Sequence, residues 1–320
     1  MRLSIVIPAY NERDSIGAVF EEISQVVSAL GRDFEIIFVD DGSTDGTEAL
    51  LATLTESDDR VHAIRLQRNQ GKSAAYMAGF AEATGSIVVT LDADLQDDPI
   101  SIPTLLNALN DHSDVVIGWK EGRFQNEARK AVPSFVFNAI VSAMFGLRLH
   151  DSNCGMRAMR AEVAKSLDLR GDYYRFIPQL ASHMGFRVVE ERVQHRRRKF
   201  GTTKYGWSRF LTGLLDAIAL RFTMSFQEKP LHAFGALALP FLGTGFLLEA
   251  YVLYQKALGD AFLDHVAAIS VGALFLTFGM QILCVGLVGV LLAASHRPPR
   301  LPTGLVSRLG SPDAYRLDQK

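Results

Sequence analysis

The chain opens on a regular alternation of aliphatic and helical patterns. Leu3–Ile7 is a short aliphatic run ended by Pro8, as a strand buried on both faces requires. From Asp14 to Leu30, Ile16, Val19, Phe20, Ile23, Val26, Val27 and Leu30 fall at helical spacing along one broad face. Phe34–Val39 is a second aliphatic run, stopped by the turn cluster Asp40-Asp41-Gly42-Ser43. The spacing then predicts a helix over Thr47–Leu54, a strand over Val61–Leu66 and a helix over Lys72–Ala83 closed by Gly85. A fourth strand, Ile87–Leu91, is cut off by Asp92-Ala93-Asp94, and a fifth is expected at Val115–Ile117. Such alternation predicts an α/β fold: a Rossmann-like, mostly parallel sheet with helices on both faces. The apolar stretch Ala131–Phe145, with Pro133 near its start, reads either as a core helix or as an interfacial helix guiding a lipid headgroup.

Past Lys229 the pattern changes. Leu231–Tyr254 is apolar apart from His232, Glu249 and a few small polar residues, and Ala267–Ala294 carries no charge. A helix of about 20 apolar residues spans a bilayer core. Two transmembrane helices, about 231–254 and 267–294, are therefore expected in preference to a pair of buried core helices. Their connection, Gln255–His265, carries one lysine. Basic residues crowd the other side: Arg196, Arg197, Arg198, Lys199, Lys204, Arg209, Arg221 and Lys229 before the first span, Arg297 and Arg300 after the second. The positive-inside bias puts residues 1–226 and the tail 297–320 on the cytoplasmic side of the cell inner membrane. Within the large domain, 127–146 and 205–226 are candidate interfacial helices. The apolar run at the N-terminus is too short for a signal peptide.

Composition narrows the function classes. The 320 residues hold 33 Lys+Arg against 35 Asp+Glu, a formal charge of −2, which argues against a nucleic-acid partner. With 48% hydrophobic and 21% charged residues the chain is too apolar to be disordered. Cys154 and Cys284 cannot build a disulfide framework, and no Cys-x-x-Cys pair offers a zinc site.

The polar clusters follow the predicted strands: Pro8–Glu12, Asp40–Asp45, Arg68–Lys72 and Asp92–Asp98. In an open α/β sheet, ligands bind beyond the carboxyl ends of the strands. Asp92 and Asp94 sit two apart, so in extended backbone both carboxylates face one site. Two carboxylates without thiol or imidazole suit a hard cation, Mg²⁺ or Mn²⁺, shared with substrate phosphates. The plainer reading is an acidic turn, with Asp97 or Asp98 capping a helix that begins at Pro99. Ser43, Thr44 or Asp45 can cap the helix at Thr47, while Asp40 and Asp41 can accept hydrogen bonds from a base or ribose. Arg68–Ser73 resembles a phosphate loop, but Leu66 stands where a Walker loop needs glycine, which excludes that NTPase reading.

Together these segments resemble the ordered motifs of inverting family-2 glycosyltransferases of GT-A fold. The carriers are Pro8-Ala9-Tyr10-Asn11-Glu12, Asp40–Thr47, Asn69-Gln70-Gly71-Lys72 and Asp92–Pro99. Asp151-Ser152-Asn153-Cys154-Gly155-Met156-Arg157 and His195–Tyr205 resemble two further motifs of the polyprenyl-phosphate hexose synthases, such as undecaprenyl-phosphate glucosyltransferases and dolichol-phosphate mannose synthases. Gly118-Trp119-Lys120 departs from the common Gly-Ser-Arg, keeping a charge at a phosphate-facing position but losing the guanidinium fork. Thr202-Thr203 replaces the serine before lysine.

The resemblance implies transfer of a hexose, from UDP-glucose in preference to GDP-mannose, to a membrane polyprenyl phosphate with inversion. It assigns Pro8, Tyr10, Glu12, Asp40, Asp41, Lys72, Asp92 and Asp94 to the nucleotide sugar. Asp94, with Asp92 and Gln96, is assigned to the metal. Arg129, Ser134, Arg198 and Lys204 are the candidates for the acceptor phosphate, and Asp94, Asp151 and Arg198 for catalysis. Asp151 either orients the nucleophile, contacts the sugar or acts as base. A phosphate monoester has a second pKa of about 6, so the acceptor is largely a dianion at neutral pH and needs positioning more than a base. Related enzymes imply a homo-oligomer. A processive polysaccharide synthase would carry Gln-x-x-Arg-Trp and more spans, and a non-enzymatic membrane tether would not need the acidic cluster.

Overall fold

The structure, a computed structural model, describes residues 2–120, 128–196, 207–228 and 230–295. The chain runs β1 (Leu3–Ala9), α1 (Arg13–Ala29), β2 (Phe34–Asp40), α2 (Thr47–Ser57), β3 (Val61–Arg65), α3 (Lys72–Glu82) and β4 (Ile87–Thr90). These are the elements the periodicity predicts. Leu3, Ile5, Val6 and Ile7 of β1, and Ile36, Ile37, Phe38 and Val39 of β2, have no exposed surface, as two-sided burial demands. A 3-10 turn at Pro99–Ser101 leads into α4 (Ile102–Ala108). Asp98 caps it by accepting from Ile100 N at 3.1 Å, so the capping reading of that acidic turn holds for Asp98. Then follow β5 (Val115–Lys120), α5 (Ala128–Phe145), β6 (Arg157–Arg160) and α6 (Ala161–Ser166). A second 3-10 turn, Tyr173–Phe176, leads into α7 (Ile177–His183) and β7 (Val188–Val193).

The strands form one sheet in the order β3-β2-β1-β4-β6-β5-β7. β1 is parallel to β2 and β4, β2 to β3, and β5 to β7, whereas β6 runs antiparallel to both β4 and β5. β6 and β7 are additions to the strands expected from sequence. β6 reads Arg-Ala-Met-Arg and β7 carries Glu190-Glu191-Arg192, so neither shows an aliphatic run. Right-handed crossovers put α1 and α2 on one face and α3 on the other, because the chain steps back across β1 to reach β4. The Pro99–Ser101 turn and α4 join α1, while α6 and the turn before α7 join α3. Strand order thus reverses between β1 and β4, and a crevice opens at their carboxyl ends.

The chain divides into two compact units, one running to Ile218 and one starting at Ala219, with α8 (Trp207–Glu228) crossing the division. The second unit is built on α9 (Pro230–Ala257) and α10 (Val266–Ser295), both long and apolar enough to cross a membrane. Gly272, Gly279 and Gly286 recur every seventh residue on α10 and form its seam with α9. A Cβ on Gly279 would lie 2.7 Å from Leu242, and one on Gly286 2.7 Å from Phe234. Away from the seam large apolar side chains are open: Leu239 is 67% exposed, Phe246 68% and Leu291 71%. Buried core helices would cover those residues.

Candidate active site

Loops after β1, β2, β3 and β4 meet in a cleft of about 600 Å³. They are stitched together by their own polar groups. Asn11 sits at φ 56, a left-handed conformation that asparagine tolerates, and its N donates to Ser43 Oγ at 2.8 Å. Thr44 N returns a bond to Asn11 Oδ1 at 2.9 Å, locking the first loop to the second. Asp45 Oδ1 accepts from Thr47 N at 3.0 Å at the start of α2, whereas the N-cap position itself is Gly46, without a side-chain cap, and not Ser43, Thr44 or Asp45. Asp41 then holds the third loop: its two oxygens accept from Gln70 N at 2.7 Å and Gly71 N at 2.9 Å. Gly42, at φ 72, lets this loop approach, since a Cβ there would lie 2.6 Å from the Arg68 carbonyl carbon.

Pro8, Tyr10, Glu12, Asp41, Lys72, Asp92 and Asp94, all singled out from sequence, line the cleft. Lys72 begins α3, and its Nζ lies 2.5 Å from Asp92 Oδ1. Burial would lower the lysine pKa, but Asp92 and the surrounding Tyr76 and Tyr174 hold it above its ordinary value. Asp92 also rests on the motif glycine: a Cβ on Gly155 would come 2.5 Å from its carboxylate. Thr90 Oγ1 fastens the same turn by donating to Gly155 O at 2.7 Å. The glycine of the Asp-x-x-x-Gly segment is therefore the seat of Asp92. Beside it, Asp94 Oδ1 accepts from Gln96 N at 3.2 Å across Leu95, which is held at φ 60. A leucine in that region is strained, a cost that concentrates where a loop aims functional groups.

Among the described residues no three His, Cys, Asp or Glu side chains form a metal cage. An open site shared with substrate phosphates needs only one or two carboxylates. Asp92 and Asp94 both line the cleft, and Lys72 pairs with one oxygen of Asp92, so the carboxylates present fit a divalent cation of that open kind.

Three residues picked from sequence lie off the cleft wall. Asp40, 1% exposed, closes β2 and turns inward: Oδ1 accepts from Ser43 N at 2.9 Å and Oδ2 lies 3.6 Å from Arg65 Nε. Gln96 engages through its backbone, its carbonyl accepting from Arg196 N at 2.8 Å. Asp151, 8% exposed, sits in the segment before Gly155, its N donating to Glu190 Oε1 at 2.9 Å. Lys120 is a correction to the phosphate-facing reading. It is 8% exposed and pairs with buried Asp97 at 2.8 Å, an ion pair that holds the lysine pKa up against burial and that of Asp97 down. Arg196, the first member of the basic run, is likewise engaged, bidentate to Asp98 at 2.8 and 2.7 Å and bonded to Glu22 at 2.6 Å. Arg198 and Lys204 fall outside the described residues, as do the side chains of Arg129 and Ser134 on α5.

The motif reading missed one wall of the cleft: Asp172, Tyr174 and Arg175 from the turn before α7, and Thr212 from α8. Its anchor is a bond from Tyr174 N to Ser73 Oγ at 3.0 Å. Only the Gly171-Asp172-Tyr173-Tyr174-Arg175 run, polar and aromatic after a glycine, signals it in the sequence.

Comparison with known proteins gives this geometry its family. The family model "Glycosyl transferase family 2" matches residues 4–168. A dodecaprenyl-phosphate galacturonate synthase of Rhizobium johnstonii is 30% identical, covering 92% of this chain and 89% of that one. An undecaprenyl-phosphate 4-deoxy-4-formamido-L-arabinose transferase of Pseudomonas aeruginosa is 34% identical, covering 93% and 87%. Glucosyl-3-phosphoglycerate synthase from Mycobacterium tuberculosis, solved with Mn²⁺, UDP and phosphoglyceric acid, shares the GT-A fold. That match has a TM-score of 0.55 at 22% identity, covering 70% of this chain and 78% of that one. The family match runs from Ser4 in β1 through β4 and includes the loops after β1, β2, β3 and β4 that meet in the cleft, and the chain belongs to glycosyl transferase family 2.

Proposed function

We propose that this chain is an inverting polyprenyl-phosphate glycosyltransferase. It moves a hexose from a nucleotide-diphosphate sugar, with UDP-glucose the leading donor, to undecaprenyl phosphate at the inner membrane. The observation that carries the reading is the convergence of Tyr10, Glu12, Asp41, Lys72, Asp92 and Asp94 on one cleft at the strand-order reversal. Two relatives that act on polyprenyl phosphates by name, matched over most of their length, support the acceptor. The apolar helices α9 and α10 support the membrane, and the basic residues flanking them in the sequence support a cytoplasmic catalytic unit.

In this reading Tyr10, 42% exposed at the rim, offers its ring to the base. Glu12 and Asp41 offer acceptors to base and ribose hydroxyls, and the Lys72–Asp92 pair borders the diphosphate. Asp94 would hold a divalent cation, Mg²⁺ or Mn²⁺, which when bound would supply charge neutralisation for the leaving diphosphate. An oxygen of the lipid phosphate attacks the anomeric carbon from the face opposite the diphosphate. The bond from that carbon to the diphosphate oxygen breaks, and the nucleoside diphosphate leaves with the electron pair. The acceptor is already a dianion, so the chain's task is orientation, assigned to Arg198, Lys204, Arg129 and Ser134. Asp151 keeps a positioning role behind the Gly155 turn.

The test is incubation of purified protein with undecaprenyl phosphate and a panel of UDP- and GDP-sugars, reading lipid product by mass. A hexosyl-phospholipid from UDP-glucose, absent with chelator, is the expected result. Product from GDP-mannose alone would move the donor assignment, and no glycolipid from any donor would overturn the reading.

A further inference from the structure

The wall built by Asp172, Tyr174, Arg175 and Thr212 has no role in the transfer as derived so far. Its centre is Arg175, 7% exposed. Arg175 Nη2 lies 2.9 Å from Asp172 Oδ2, and its Nε donates to Tyr174 Oη at 3.2 Å. Its Nη1 packs on α8, where a Cβ on Gly213 would lie 3.3 Å away. Asp216, one helical turn from Thr212 on α8, adds a second carboxylate that stabilises the charged guanidinium. Asp172 is 46% exposed at its side chain, so it retains acceptor capacity toward the cleft. Lys72, the other cation lining the cleft among the described residues, is paired with Asp92.

This pattern has a chemical meaning. A carboxylate fixed by a buried guanidinium, with the Thr212 hydroxyl on the same wall, is a hydrogen-bonding set for the hydroxyls of a neutral sugar. For a sugar carboxylate the wall is hostile. Both cations of the described lining already carry an acidic partner, and Asp172 on the lining would face the added charge directly. The Rhizobium johnstonii relative transfers galacturonate by name, so charge at the sugar is a property on which members of this family differ.

Resting on the transferase reading above, we propose that Asp172, clamped by Arg175, reads the hydroxyls of an uncharged hexose and excludes donors whose sugar carries a carboxylate. Like charges at close range in a partly solvated cleft lower use of such donors by about tenfold or more. Asp172→Asn removes the repelling charge and releases the guanidinium, so it shifts selectivity toward the acidic sugar.

The experiment uses the full chain in detergent with Mn²⁺ and undecaprenyl phosphate. It compares kcat/KM for UDP-glucose and UDP-glucuronate, with UDP binding measured in parallel. The expected wild-type ratio favours UDP-glucose by about tenfold or more. Asp172→Asn narrows that ratio through better use of UDP-glucuronate, whereas Asp172→Glu, which keeps the charge, retains the preference. Equal or better use of UDP-glucuronate by the wild-type protein overturns the proposal, and this result stands even where a variant fails to fold. An Asp172→Asn protein that binds UDP and keeps the wild-type ratio also overturns it. Failure of the wild-type protein to form glycolipid from any UDP- or GDP-sugar overturns the transferase reading, and the proposal with it.

Discussion

At the scale of single residues, the cleft works by committing its charges in pairs. Lys72 and Asp92 neutralise each other at 2.5 Å beside Asp94, the residue proposed to hold the cation. Asp41 accepts one backbone bond from the third loop on each oxygen, which leaves acceptor capacity on a carboxylate that also lines the cleft. Asp41→Asn replaces one acceptor by an amide donor facing a backbone N–H, at a cost of roughly 1–3 kcal/mol. The expected outcome is a lower Tm and a raised donor KM with a smaller change in kcat, read by thermal scanning and steady-state kinetics. Lys72→Met strips Asp92 of its partner, and kcat/KM should fall by about tenfold or more while the protein still folds; an unchanged value would show that the pair is mere packing. The sequence revealed Asp92 and Asp94 because residues two apart share a face. It misled at Lys120, at the end of β5, because the partner Asp97 comes from the loop after β4 and no local spacing records that meeting. Asp40 and Asp41 looked equivalent in the chain. The end of β2 separates them, turning Asp40 toward Ser43 and Arg65 and Asp41 toward the cleft.

At the scale of elements, two acidic residues fasten the sheet away from the cleft. Glu35, 1% exposed at the start of β2, accepts from Ser4 Oγ in β1 and from Thr84 N after α3 at 2.7 Å. Burial works against its charge, yet the bonds from Ser4 and Thr84 hold its pKa below the ordinary value. Glu35→Gln is expected to cost roughly 2 kcal/mol in unfolding free energy. Asp114 binds Arg187 ahead of β7 through two bonds of 2.9 Å and Arg160 of β6 at 3.2 Å. The Arg187 bonds pull its pKa from 3.8 down to about 2. A depressed carboxyl pKa stabilises the fold above its unfolded value. That stability is full above pH 3.8 and is lost as pH falls toward about 2. Tm measured against pH should therefore drop through that window in the wild-type protein and less steeply in Asp114→Asn. β1, β2 and β4 were legible because aliphatic residues dominate their runs, and β3 because a short run lies between two helical patterns. β6 was not, because it places Arg157, 1% exposed, in the middle of the sheet, and an arginine at a core position defeats any pattern of apolar spacing.

At the scale of the molecule, the first unit holds the cleft and the second holds the hairpin. The hairpin was legible from the absence of charge. Its glycine seam gains meaning only when α9 is seen beside α10. In the proposed topology residues 1–226 are cytoplasmic and the connection between α9 and α10 emerges on the opposite side of the membrane. Asp260→Cys, in that connection, should react with a membrane-impermeant maleimide added to intact cells after outer-membrane permeabilisation; protection until lysis would reverse the topology. The central claim is that the cleft transfers sugar to a lipid phosphate with Asp94 at its metal-binding edge. Its most direct test is the mass of the lipid formed from undecaprenyl phosphate and UDP-glucose by wild-type and Asp94→Asn proteins, each in Mn²⁺. The account predicts a hexosyl-phospholipid with the wild-type protein and a loss of about a hundredfold or more with Asp94→Asn. Equal yields of glycolipid from the two proteins would contradict it.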